Sequence, residues 1–318
     1  MSIKKLTAIM LILTNSLVLN ACSFKKAETI NENSKLVMAK YETEKIQASP
    51  NSLTIKLGIE DDTNLNDDLF PCNKENANFQ IEFFNGYEEV KKCRLTFYID
   101  YKQSNFSISD KKNIPSYEFE LNKENLNFPI SIDMKNIAAG DHRVSFIITK
   151  DIDKDSMDTK KIGSQIICSG ILRHKEKKDI VSSWNNTEIK FFNKEIKNYK
   201  NKSLKLIQSK DDTPPSKCIR VKKNDTFNFP IAFTVPNNTE SILLMATLDG
   251  NTINTENKEF LSFKINNNQK AFYKELTFKA PDQGGKYEFT PIIVANPFNQ
   301  DYKKMYFDNY EEFTLIVE

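Results

Sequence analysis

The sequence predicts an all-β protein with two tandem antiparallel β-sandwich domains, and three observations carry that expectation. Apolar residues recur at every second position in short runs. Segments rich in Asn, Asp and Lys separate those runs, and the same order of runs occurs twice. Composition agrees: 23 Phe and 11 Tyr suit pleated, packing surfaces, whereas 8 Gly in 318 residues leave little material for glycine-built nucleotide loops.

The first run is Leu53, Ile55, Leu57 and Ile59. Phe79, Ile81 and Phe83 form the second; Leu95, Phe97 and Ile99 the third; Tyr117, Phe119 and Leu121 the fourth. Phe128, Ile130 and Ile132 follow, then His142, Val144, Phe146 and Ile148, and a seventh run from Ile162 to Ile171. An apolar side chain at alternate positions puts one face of a strand in a core and the other in water.

The second half repeats this order. Phe79-Gln80-Ile81-Glu82-Phe83 is matched by Phe229-Pro230-Ile231-Ala232-Phe233. Tyr117 to Asn122 is matched by Leu261 to Asn266, and Phe128 follows Phe119 by nine positions, as Phe272 follows Phe263. Gly140 to Ile148 is matched by Gly285 to Ile293. Three blocks in one order indicate an internal duplication. They place the domains at 51–175 and 180–318, joined by the polar run from His174 to Lys178, with Trp184 near the joint and assigned to packing between the domains. The block Gly285-Lys286-Tyr287 resembles the penultimate strand of Ig-like and fibronectin type III-like sandwiches, in which a tyrosine pins a corner. That resemblance implies Ig-like architecture for both domains and a corner role for Tyr287. His142 holds the matching place in the first copy, where core or corner packing is expected of it.

The N-terminus carries a different signal. Lys4 and Lys5 precede an apolar run from Leu6 to Leu19, too short to span a bilayer. Leu19-Asn20-Ala21-Cys22 then resembles the lipobox of bacterial lipoproteins. The resemblance implies that residues 1–21 are a signal peptide and that the Cys22 thiol is acylated. It also implies a protein held by its lipid on the exported side of a bacterial cell membrane, since two or more acyl chains give a stable anchor. Residues 22–50 are polar without periodicity and are expected to be a lipidated, flexible tether.

The formal charge is +2, and Lys4 and Lys5 account for it, so the exported chain is neutral. Nucleic acid is therefore not an expected partner. Four cysteines remain beside Cys22. A Cys72–Cys93 disulfide is sterically the simplest pairing, and the alternative is that all four are thiols. Asp151, Asp153, Asp155 and Asp158 resemble the opening of a calcium loop, but Ser156 stands where such a loop needs Gly and Ile162 where it needs Glu. A solvated hairpin loop is the plainer expectation, with calcium as the only cofactor candidate. Asp61, Asp62, Asp67 and Asp68 read the same way.

Two histidines leave little for acid–base or metal chemistry; His174, in the charged joint, is expected to be solvated. No nucleophile elbow, phosphate-cradling loop or HExxH occurs. Tyr302, Tyr306, Phe307 and Tyr310 are read as a last hairpin, with recognition of a protein or glycan as the alternative. The expected function is that of a non-enzymatic surface lipoprotein that displays two sandwiches to a macromolecular partner or serves the envelope structurally. The alternative is an accessory solute- or calcium-binding lipoprotein.

Overall fold

A computed structural model describes residues 53–59, 69–86, 88–122, 126–150, 152, 165–176, 205–207, 218–234, 239–265, 271–299, 306–309 and 313–318. The signal and tether (1–50), Cys22, Asp61 to Asp68, Asp151, Asp153, Asp155, Asp158, Trp184, Tyr302 and Tyr310 lie outside these residues. Every regular element among the described residues is a strand.

Among the described residues eleven strands build the first sandwich: β1 Leu53–Ile59, β2 Leu69–Cys72, β3 Asn76–Asn85, β4 Lys91–Ile99, β5 Lys102–Gln103, β6 Phe106–Ile108, β7 Lys111–Ile114, β8 Ser116–Leu121, β9 Leu126–Asp133, β10 Gly140–Lys150 and β11 Gln165–His174. One sheet has the order β1-β3-β9-β6-β7. The other runs β2-β11-β10-β4-β5, with β8 also on β4. Pairing is antiparallel except for β2, which lies parallel to β11. The second sandwich repeats the plan with β12 Lys205–Ile207, β13 Cys218–Val221, β14 Thr226–Thr234, β15 Ser241–Leu248, β16 Asn251–Thr252, β17 Leu261–Lys264, β18 Ala271–Lys279, β19 Gly285–Ala295, β20 Tyr306–Asn309 and β21 Phe313–Val317. Its sheets are β12-β14-β18 and β13-β21-β19-β15-β16, with β17 on β15 and β20 on β19. Here too a short strand, β13, runs parallel to the last one, β21.

This strand order, with an early strand split between the two sheets and its second half parallel to the final strand, is that of an Ig-like sandwich. The three repeated sequence blocks occupy equivalent strands. Phe79–Phe83 and Phe229–Phe233 lie in β3 and β14, and Tyr117 and Leu261 lie near the start of strands that flank β4 and β15. The blocks from Gly140 and Gly285 form β10 and β19. No alternating run marks β2, β5 to β7, β12, β13 or β16, which are too brief for periodicity to register, or β15, whose residues Ile242 to Ala246 are continuously apolar.

Each sandwich has its own core. Phe70, Phe79, Phe97 and Phe146 interlock in the first, with Phe79–Phe146 ring centroids 5.3 Å apart and Phe97–Phe146 4.6 Å apart. In the second, Phe289 is fully buried and lies 5.0 Å from Phe278, 5.2 Å from Phe229 and 5.5 Å from Phe227. Edge-to-face contacts of this kind add to the burial of the rings themselves. Replacing Phe289 by Ala should therefore lower the stability of the second sandwich by about 3–5 kcal/mol, measured by urea denaturation. A loss below about 1 kcal/mol would mean the site is not close-packed.

The disulfide expectation is corrected. Cys72 stands opposite His174 at one end of its sheet, and Cys93 stands opposite Lys150 at the other, with β11 and β10 between them. Three strand spacings, about 14 Å, exceed the reach of a disulfide. Instead the Cys72 thiol points at the carbonyls of Lys74 and Asn76, and the Cys93 thiol at that of Lys91. His174 is corrected as well. It closes β11 and is fully buried, with Nδ1 3.3 Å from the Cys72 carbonyl, and burial pushes its pKa down.

Candidate functional site

Four strands break the expected alternation. Residues 93–99 of β4, 143–150 of β10, 241–247 of β15 and 288–295 of β19 are buried without interruption. One face of each lines its own core. The other faces meet: Tyr98, Tyr101 and Ile147 of the first sandwich pack with Leu243, Met245, Phe260, Ile292 and Val294 of the second in a third apolar cluster. The two sandwiches are thus docked through the outer faces of equivalent sheets. This junction is the most elaborated polar and aromatic constellation among the described residues.

Its geometry starts from a pair of turns. Asp100 and Tyr101 both have positive φ, 48° and 66°, and join β4 to β5. Asp249 and Gly250, at 48° and 75°, join β15 to β16 in the same way. Two successive left-handed residues form the hairpin turn that favours Asp-Gly, so Gly250 is the expected residue and Tyr101 the strained one. In both copies the aspartate ties the turn to the next strand. Asp100 N–H donates to the Arg143 carbonyl at 2.8 Å, and its Oδ1 accepts from Arg143 N–H at 2.9 Å. Asp249 makes the same two bonds with Glu288, at 2.8 and 2.9 Å.

The turns then diverge into complementary halves. Tyr101 is 3% exposed, meets Phe298 and Phe260 edge-on at 5.9 and 6.4 Å, and donates its hydroxyl to the Pro297 carbonyl. Gly250 does the reverse and makes room. A Cβ there would stand 2.6 Å from Cδ of Arg94, and its carbonyl accepts from the Tyr98 hydroxyl at 3.4 Å. Burial pushes the Tyr98 phenol up to about 12, so it remains a donor.

Arg94 is the ionic centre of the junction. Its Nε and Nη2 donate to Oε1 of Glu118 at 3.1 and 2.8 Å, and its Nη1 reaches Oε2 of Glu288 at 3.5 Å. Glu118 faces solvent, whereas Arg94 and Glu288 are buried. Desolvation raises the Glu288 carboxyl to about 7 despite the opposing pull of Arg94, and Asp249 pushes the same way as burial. At the other end of the junction an Arg143 guanidinium N–H donates to the Asn299 carbonyl. Gln103 completes the rim, donating to Asn251 Oδ1 at 3.2 Å and accepting from Thr252 N–H at 2.9 Å.

The corner residues are both in place. Tyr287 donates its hydroxyl to the Gln283 carbonyl at 2.9 Å. His142 spans the same four-residue interval in the first copy, with Nε2 2.8 Å from the Ala138 carbonyl, and it adds a 2.7 Å contact from Nδ1 to Asp100 Oδ2. A carbonyl and a carboxylate are both acceptors, so the imidazolium, with an N–H on each nitrogen, satisfies both. The bond to Asp100 raises the His142 pKa first of all, against the opposing effect of burial.

Of the residues singled out in the sequence, only His142 and Tyr287 belong to this constellation. Arg94, Glu118, Tyr98, Tyr101 and Glu288 were missed. A signal was present: Ile242-Leu243-Leu244-Met245-Ala246 and Pro291-Ile292-Ile293-Val294 are continuous apolar runs, the mark of a strand covered on both faces.

No family model matches this chain, and no curated protein matches it. Among solved structures, the fibronectin(III)-like modules of Clostridium thermocellum CbhA align over 82% of this chain and 94% of their own at 12% identity, with a TM-score of 0.21. The Streptococcus agalactiae AgI/II polypeptide BspA C-terminal domain aligns over 83% and 100% at 9% identity, TM-score 0.21. The ICAM-5 D1-D4 ectodomain fragment aligns over 83% and 51% at 7% identity, TM-score 0.22. No residue role is carried over from them, and the Ig-like assignment rests on the strand pairing described above.

The corner makes a signed pH prediction. Because the folded pKa of His142 is raised, its stabilisation is complete below about pH 6.5 and is lost as pH rises through the folded value. His142→Phe should therefore cost more stability at pH 5.5 than at pH 8.5, read by paired urea curves. An equal cost at both would discard the imidazolium bridge. The turns make a second prediction. Tyr101→Ala should cost about 3 kcal/mol. Gly250→Ala should cost more than about 1 kcal/mol, because Arg94 is pinned where the methyl would sit. Guanidinium midpoints of either variant equal to wild type would contradict the knob-and-recess packing.

Proposed function

We propose that this chain is a lipid-anchored protein of a bacterial cell envelope that displays two docked Ig-like sandwiches as a non-enzymatic binding or structural element. One observation carries the reading: Arg94, Glu288, His142 and Asp141 are each engaged in holding the described body together. Arg94 and Glu288 sit in the junction, His142 holds a corner and a turn, and Asp141 is paired in bidentate fashion with Arg173 at 2.7 and 3.0 Å. Such an arrangement supports a scaffold rather than a site of turnover.

The docked sheet faces are closed, so a partner would meet the loop ends and the outer sheets. Among the described residues Val90 is the one large apolar side chain that is well exposed, which favours recognition through polar groups at loop ends over a greasy patch. The lipobox-like Leu19-Asn20-Ala21-Cys22 supports the anchor, and confinement to a surface would raise the effective concentration of even a weak binder toward its neighbours.

Cys22→Ala should abolish incorporation of labelled fatty acid and leave precursor uncleaved; unchanged labelling would remove the anchor from this proposal. Hydrolase or transferase turnover by the purified exported chain would remove the non-enzymatic part.

A further inference from the structure

Glu288 is a carboxylic acid in a place that disfavours its charge. It lies on the docked face of β19, inside the junction, beside Asp249 on the turn that leaves β15. The cation facing it from β4, Arg94, is already held by two N–H bonds to the exposed carboxylate of Glu118 on β8. The remaining neighbours are polar and uncharged: Thr290, whose hydroxyl is 3.5 Å from Oε1, and the Gln165 amide of β11. Arg143, the other buried guanidinium on the docked face of β10, is directed to the Asn299 carbonyl instead.

We propose that Glu288 is a proton switch for the docking of the two sandwiches, which close on each other while it is protonated and loosen as it ionises. The protonated acid leaves Arg94 with a complete partner in Glu118 and brings no net charge into the junction. The ionised acid forces a second carboxylate against Asp249 in a space closed to water. Undocking would return Glu288 to solvent, where an ordinary carboxyl ionises well below neutrality. The docked form therefore binds the proton more tightly than the open form. Acid favours docking, and the preference is lost as pH rises through the docked value. Opening would bare Tyr98, Leu243, Met245 and Ile292, an apolar surface that the docked protein conceals.

One amide reports the event directly. Thr252 N–H donates across the junction to the Gln103 side chain, so its exchange with solvent follows undocking rather than loss of a sheet ladder. In the full-length chain, Thr252 protection corrected for intrinsic exchange should fall between pH 5.5 and 8.5 on the order of thirtyfold, given a docked carboxyl titrating at about 7. Core amides such as that of Phe289 should keep theirs. Glu288→Gln, which imitates the protonated acid, should hold Thr252 protection level across the range. Glu118→Gln, which frees Arg94 for Glu288, should move the midpoint to lower pH. A wild-type profile flat in pH overturns the proposal whatever the variants do, and so does a Glu288→Gln protein that retains the wild-type drop or a Glu118→Gln midpoint that does not move.

Discussion

Everything distinctive in this molecule depends on one constraint: β4 and β10 of the first sandwich and β15 and β19 of the second are covered on both faces. A free-standing Ig-like sandwich needs one buried face per sheet, and the other can remain wet. Here the second face of each inner sheet is closed by its counterpart, so each polar side chain on it must find a partner or be expelled. Arg94, Arg143, Tyr98 and Glu288 are the consequence. Each is buried at the junction, and each is directed at a group on the opposite sandwich. Aromatic and aliphatic contacts supply the driving force, while the polar bonds select the register in which the faces meet.

The contact joins equivalent surfaces of two copies, as in a two-fold dimer, and β5 meets its counterpart β16 at the rim. Yet the copies are no longer interchangeable. Tyr101 is a knob where Gly250 is a recess, and Arg143 stands where its counterpart is Glu288. Covalent linkage permits this. Once two copies share a chain, each half can specialise against the other, and a residue unfavourable in its own turn persists if its side chain anchors the junction. Tyr101 in a left-handed position is the clearest case, since no local preference selects a tyrosine there.

Legibility in the sequence divides along the same line. Strands with one buried face could be read because alternation records a single core: Leu53 to Ile59, Phe79 to Phe83 and Phe128 to Ile132 fall in β1, β3 and β9. The duplication could be read because core spacing is copied with the fold. The first sandwich's side of the junction could not, because Arg94, Thr96, Arg143 and Ser145 follow the pattern of a solvated face while being buried. Polar residues covered by a docking partner carry no local mark of that partner. His174 misled for the same reason: it neighbours a charged run in sequence yet is buried at the end of β11, beside Cys72 of β2. The Cys72–Cys93 pairing failed on topology, because proximity in sequence says nothing of two intervening strands.

The two corners show how one geometric need admits different chemistry. Tyr287 meets it with a hydroxyl that donates to the Gln283 carbonyl. His142 meets it with a ring whose second nitrogen is then left to be satisfied, and Asp100 lies within reach because the first copy's turn places it there. That substitution adds a charge pair to the turn bearing Tyr101, so the strained knob is braced from behind by the same aspartate that caps its turn. In the second copy the residue after the aspartate is Gly250, which adopts its left-handed conformation without strain. The charged contact thus stands directly behind the turn whose backbone is forced.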